Sequence, residues 1–103
     1  MDNIFIPNQT NPEEEQFDTL LQTPHIHIEK ITSYGQTSDE WYEQQRDEWV
    51  VLIEGEGDLL FDDDSQVKLV KGEHIYIPKM KRHKVIYTSS PAIWLVIHFK
   101  TEQ

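Results

Sequence analysis

From residue 25 onward the chain is cut about every eight to twelve residues by a turn signal, and the pieces between are short and apolar. This rhythm constrains the fold more than any other feature, because a chain interrupted so often leaves no room for long helices. Residues 25–32 alternate polar and apolar with period two, and residues 48–53 read Glu-Trp-Val-Val-Leu-Ile. Gly55 and Gly57 turn the chain before residues 58–61, and Asp62-Asp63-Asp64-Ser65 turns it before residues 66–70. Lys71-Gly72 leads into residues 74–77, which Pro78 stops; residues 83–88 and 92–99 follow, joined by Ser89-Ser90-Pro91. Many short strands at this spacing predict an all-β sandwich or barrel.

The stretch before Pro24 reads differently. Residues 1–11 have no periodicity and form a loose arm. Asn11-Pro12-Glu13-Glu14 carries the signals of a helix start: a capping side chain, proline at the first helical position and acids near the positive end of the dipole. Phe17, Leu20 and Leu21 follow with helical spacing. The expected division is therefore an arm and one short helix over residues 1–24, then a barrel over residues 25–103.

Two of the strands are apolar on both faces. In residues 48–53, Val50 and Leu52 lie opposite Trp49, Val51 and Ile53; in the last strand, Trp94 and Val96 lie opposite Ile93, Leu95 and Ile97. A lone sandwich buries only one face of each sheet. The other must be covered by the helix, another strand or a second subunit, and a homodimer is expected.

Charge and composition exclude several classes. The 103 residues fit one domain, and 19 acidic against 9 basic residues give a net charge of −10. A nucleic acid or an anionic membrane surface would be repelled. No apolar run approaches the roughly 20 residues of a membrane span. The first residues lack the basic start and apolar core of a signal peptide, so a cytoplasmic protein is expected. With no Cys, disulfides, thiolate metal sites and Cys nucleophiles are excluded. No acyl-transfer triad and no Gly-rich phosphate loop is evident.

Two spacings stand out. Glu48 is followed by six residues and Gly55; Gly72 is followed by five residues and Pro78, with His83 five positions further on. In this order they resemble the two motifs of the cupin family, over residues 25–100, and specifically a small single-domain bacterial cupin. The resemblance implies a double-stranded β-helix, or jelly-roll, barrel. It also implies a metal held by two His, a Glu and a third His. Here the His pair falls on Tyr42 and Gln44, so only Glu48 and His83 keep ligand positions. Met80 stands where a glycine is usual and Tyr87 where an asparagine is usual. Trp41-Tyr42-Glu43-Gln44 before Glu48-Trp49, with Trp94-Leu95-Val96-Ile97-His98-Phe99 at the end, looks like a subgroup of uncharacterised function. Cupins include dioxygenases, isomerases, sugar-binding regulators and storage proteins, so the fold does not choose a function.

The sequence suggests a replacement for the missing ligands. A hairpin centred between Ser90 and Pro91 would set His83 opposite His98, Val85 opposite Val96 and Tyr87 opposite Trp94. All would share one face, because strand side chains alternate. Glu48, His83 and His98 would then form a two-His-one-carboxylate set for a divalent Fe, Mn, Ni or Zn, with Gln44 or Tyr42 as a fourth ligand. Tyr42, Tyr87, Trp94, Val50 and Val96 would wall a pocket for a small organic ligand or sugar. A register change of one residue would turn His98 outward.

Each of these residues also has a structural reading. Glu48 and His83 can form a buried hydrogen bond without metal, and His98 can be satisfied by a tyrosine hydroxyl or the backbone. His25-Ile26-His27 reads as an edge or surface strand. Trp49 reads as core. The three aspartates at 62–64 read as a solvated turn rather than a calcium loop. Lys79-Met80-Lys81-Arg82-His83-Lys84 is the one basic run. It reads as a solvated loop pairing with surplus carboxylates, or else as an anion site at the barrel mouth. Two functions follow: a cupin that binds a small molecule in its barrel, with or without a divalent metal; or a metal-dependent dioxygenase- or isomerase-type enzyme using Glu48, His83 and His98.

Overall fold

The computed structural model describes residues 1–6 and 13–100. Among them are eight strands and no helix: β1 (Gln16–Gln22), β2 (Ile26–Ser33), β3 (Asp47–Glu54), β4 (Glu56–Phe61), β5 (Gln66–Val70), β6 (His74–Ile77), β7 (His83–Thr88) and β8 (Ala92–Phe99). They form two antiparallel sheets, ordered β1-β2-β8-β3-β6 and β5-β4-β7. The sheets enclose a core of Val50, Leu52, Leu59, Phe61, Leu69, Ile77, Trp94 and Val96. This is the all-β jelly-roll barrel expected, and the strands after Pro24 fall close to their predicted positions.

The predicted N-terminal helix is corrected. Its proposed cap, Asn11 with Pro12, lies outside the described residues, but Phe17, Leu20 and Leu21 belong to strand β1. β1 pairs along β2, with Phe17 opposite Ile31 and Gln22 opposite His27. An isolated helix of two or three turns is marginal in water. A strand on the open edge of β2 instead satisfies a row of backbone groups. An irregularity between Thr19 and Leu21 lets β1 depart from strict alternation.

The predicted β7–β8 hairpin does not form either. β7 pairs with β4 in the small sheet, while β8 lies between β2 and β3 in the large one. The segment Ser89-Ser90-Pro91 crosses from one sheet to the other, held where Ser89 N donates to Glu56 O and Glu56 N donates to Ser89 Oγ. Gly55 makes this crossing possible: its φ is 88°, and a Cβ there would run into Ser89 and Pro91. That is the physical content of the motif glycine seven positions after Glu48.

A bulge decides which side chains of β7 face inward. Leu59 pairs with Val85 but Asp58 pairs with Tyr87, so Ile86 is the extra residue and the parity of β7 flips there. His83 and Val85 point into the barrel. Tyr87 points outward and is exposed.

Candidate functional site

The barrel holds a cavity of about 130 Å³. That is roughly the size that accommodates one benzene ring. Val50 from β3, Leu59 from β4, Ile77 from β6, Val85 from β7 and Trp94 with Val96 from β8 form its apolar wall. Glu48, His83 and His98 line the same cavity, and all three are buried.

These three arrive from different directions. Glu48 and His98 are cross-strand partners on β3 and β8, so their side chains share a face. His83 comes from the opposite sheet, where it pairs with Phe61 of β4. His83 Nε2 lies 3.4 Å from Glu48 Oε2, and His98 Nδ1 lies 3.5 Å from Glu48 Oε1. His98 Nε2 faces Glu29 Oε1 at 3.9 Å. The inward aim of His98 thus stands, but it comes from pairing with β3 rather than from a hairpin with β7.

The protonation of the cluster follows from its contacts. His83 Nδ1 donates to the Lys81 carbonyl at 3.0 Å. In the neutral ring this leaves a lone pair on Nε2 facing a carboxylate oxygen. Burial pushes the Glu48 carboxyl above its ordinary range; attraction to His83 and His98 opposes this, and Glu29 adds to it. Glu48 Oε2 is buried without a hydrogen-bond partner. Such an atom costs about 1–3 kcal/mol until a donor reaches it.

Cation binding needs the donors gathered on one point. Here the two imidazoles meet different oxygens of Glu48, so the carboxylate lies between them. Among the described residues, no group of three or more His, Asp or Glu side chains is arranged to hold a metal ion. The set has the right chemistry for a cation but not the arrangement.

The other residues singled out in the sequence divide. Tyr42 and Gln44 line the cavity, and Tyr42 exchanges backbone hydrogen bonds with His83 at 2.7 and 3.0 Å. Val50, Trp94 and Val96 line it, whereas Tyr87 does not. Trp49 is not core: it sits on the outer face, its Nε1 donating to His74 Nδ1 at 3.3 Å. His27 is not on an edge, because β1 covers that side; its ring stacks on His98 at 5.5 Å and its Nε2 meets Thr19 Oγ1 at 3.0 Å. The inward-facing residues of β2, His27 and Glu29, are the part of the site that sequence reading missed. Their period-two spacing was visible, but not the strand beside them. Asp62-Asp63-Asp64 is a turn, in which Asp63 Oδ1 accepts from Ser65 N at 3.0 Å.

Three further hydrogen bonds hold the loop that leads to His83. Asp47 Oδ1 accepts from Tyr76 OH at 2.7 Å and from Lys79 N at 3.0 Å, and Met80 N donates to Gln44 O at 2.7 Å. The loop that delivers His83 is thereby tied to the start of β3. The Tyr76 and Lys79 hydrogen bonds hold the Asp47 carboxyl below its ordinary range.

Comparison with known proteins agrees with this fold. The family model for the cupin domain matches residues 31–98. A Ralstonia eutropha JMP134 protein provisionally named a mannose-6-phosphate isomerase superposes with a TM-score of 0.90 at 29% identity, over 98% of each chain. A cupin superfamily protein of Desulfitobacterium hafniense DCB-2 gives 0.80 at 19% identity, covering 90% of this chain and 84% of that one. The EutQ protein of Clostridium difficile gives 0.71 at 18% identity, covering 86% and 70%. None of the curated proteins matches this chain in sequence.

Proposed function

The chain belongs to the cupin domain family, and from that premise we propose that it binds one small molecule inside the barrel through Glu48. The observation that carries this reading is the buried Oε2 of Glu48, which has no hydrogen-bond partner and lines a cavity otherwise walled by apolar side chains. A ligand with an N–H or O–H donor and a compact apolar body of about six heavy atoms answers both features. The donor meets Glu48, and the body packs on Trp94, Val50 and Val96.

Cupins often hold a metal in the barrel, and the alternative reading is a metal-dependent enzyme of the dioxygenase or isomerase type. Two imidazoles beside a buried carboxylate favour it; their division over the two oxygens of Glu48 weighs against it. The proposal also includes a homodimer, with the second copy over the outer face of the large sheet, and a cytoplasmic location.

Phenol, a ring with one hydroxyl, tests the pocket. In an NMR titration it should shift the Trp94 indole saturably, and Glu48→Ala should weaken binding by about ten-fold. Absence of a saturable shift at Trp94, or equal binding by Glu48→Ala, would overturn the reading.

A further inference from the structure

Beyond the apolar cavity lies a polar mouth formed by Gln22, His27, Glu29, Gln44, Arg46 and His98. Glu29, Gln44 and His98 line both spaces, so the two adjoin at these side chains. Among the described residues lining either space, Arg46 is the only Lys or Arg. It is half-buried just before β3. None of the ion pairs among the described residues involves it.

The basic loop, by contrast, is engaged elsewhere. Lys81 lies 3.9 Å from Asp63 and over the Phe61 ring, Arg82 lies 4.0 Å from Glu43 and over Trp41, and Lys84 lies over Trp41 at 4.7 Å. Its charges are spent on neighbouring carboxylates and aromatic faces, and none of these three lines the mouth.

We propose that the mouth is an anion subsite in which Arg46 reads a carboxylate or phosphate group on the molecule bound in the barrel. The guanidinium fork can take two oxygens of such a group, and the amides of Gln22 and Gln44 supply further N–H donors. The opposing charge at the mouth is Glu29, which faces His98. In a chain of net charge −10 an anion approaches against the overall field. Selectivity for it must therefore come from a local charge-assisted contact, which is what an unpaired arginine beside two amides provides. The ligand class is then a small acid: anionic end at the mouth, apolar body in the cavity, donor toward Glu48. This inference rests on the pocket reading above.

Phenol, 4-hydroxybenzoate and 4-hydroxyphenyl phosphate, which share the hydroxyl for Glu48 and differ in the group para to it, separate the two readings. Titrated against the full-length protein, 4-hydroxybenzoate or 4-hydroxyphenyl phosphate should bind at least about ten-fold more tightly than phenol. The tighter of the two identifies the anion as carboxylate or phosphate. Arg46→Gln should remove this advantage while leaving phenol binding unchanged, and Arg46→Lys should restore part of it. Equal binding of phenol and both anions, or unchanged anion binding in Arg46→Gln, would overturn the anion subsite while leaving the pocket in place. No binding by any of the three would overturn both.

Discussion

Glu48 and His98 face each other across adjacent strands, with the imidazole Nδ1 3.5 Å from one oxygen of a carboxylate that is 4% exposed. Burial raises the Glu48 carboxyl above its ordinary value of 4.5 despite the two histidines. The folded protein therefore holds this proton more tightly than the unfolded chain does. The contribution to stability is complete below pH 4.5 and is lost as pH rises through the higher folded value. Urea unfolding of the wild type at a series of pH values should show this decline. Glu48→Gln, which keeps the shape without the charge, should lack that part of the slope.

The division of the two imidazoles over separate carboxylate oxygens predicts weak metal retention. Protein purified without an affinity tag should carry well under one equivalent of Fe, Mn, Ni or Zn by elemental analysis. Near-stoichiometric metal that disappears in both Glu48→Ala and His83→Ala would show that the donors close on a cation, and would restore the metal-enzyme reading.

Gly57 lies against the indole of Trp94, and a Cβ there would overlap the ring. The ring is 4% exposed, and the space it can shift toward is the cavity it lines. Gly57→Ala should cost about 1–3 kcal/mol through overpacking. It should also displace a wall of the cavity, so phenol binding should weaken together with the denaturation midpoint. An unchanged midpoint would contradict the packing described.

Tyr76 OH donates to Asp47, which also accepts from the backbone of the loop leading to His83. The hydrogen bond from Tyr76 is the largest cause of the lowered Asp47 pKa. In Tyr76→Phe, an NMR titration should find the Asp47 carboxyl moved up toward its ordinary 3.8, with altered shifts at His83. The stability that Asp47 supplies is present above its unfolded value and lost as pH falls through its folded one, so the variant should be less resistant to acid. An Asp47 titration unmoved by the substitution would refute this coupling.

On the outer face of the large sheet, Trp49 and Tyr76 are 37% and 52% exposed, and Leu95 and Ile97 are only half-buried. A second copy over this face should give a light-scattering mass of twice 12.2 kDa, and Leu95→Asp should return it to the single value. A wild-type mass near 12.2 kDa would reject the dimer.

How far the sequence reached can be followed at individual residues. The spacing of turn residues and the alternation between them depend only on local backbone preference. Accordingly, β2 to β8 were legible nearly to the residue. Gly55, Gly72 and Pro78 were legible as a pattern because each serves a backbone need that few other residue types meet, and His83 was legible by its fixed distance from them. β1 was not: Phe17, Leu20 and Leu21 suit a helix face by spacing, and only the open edge of β2, a neighbour distant in space, makes them a strand. The aim of Tyr87 was equally hidden, because one bulge residue, Ile86, reverses parity and leaves no mark in composition.

The sequence by itself thus determined the strand content and the barrel class, and marked the residues able to do chemistry. Tertiary structure alone decided which of those residues meet. His98 reaches Glu48 because β8 lies beside β3, and His83 reaches it from across the barrel. His27 and Glu29 join the mouth because β2 is an interior strand, and Arg46 joins it from the segment just before β3. These are contacts between segments far apart in the chain. They are fixed by which sheet faces close on each other, and that is settled by burial of the whole apolar set rather than by any local signal.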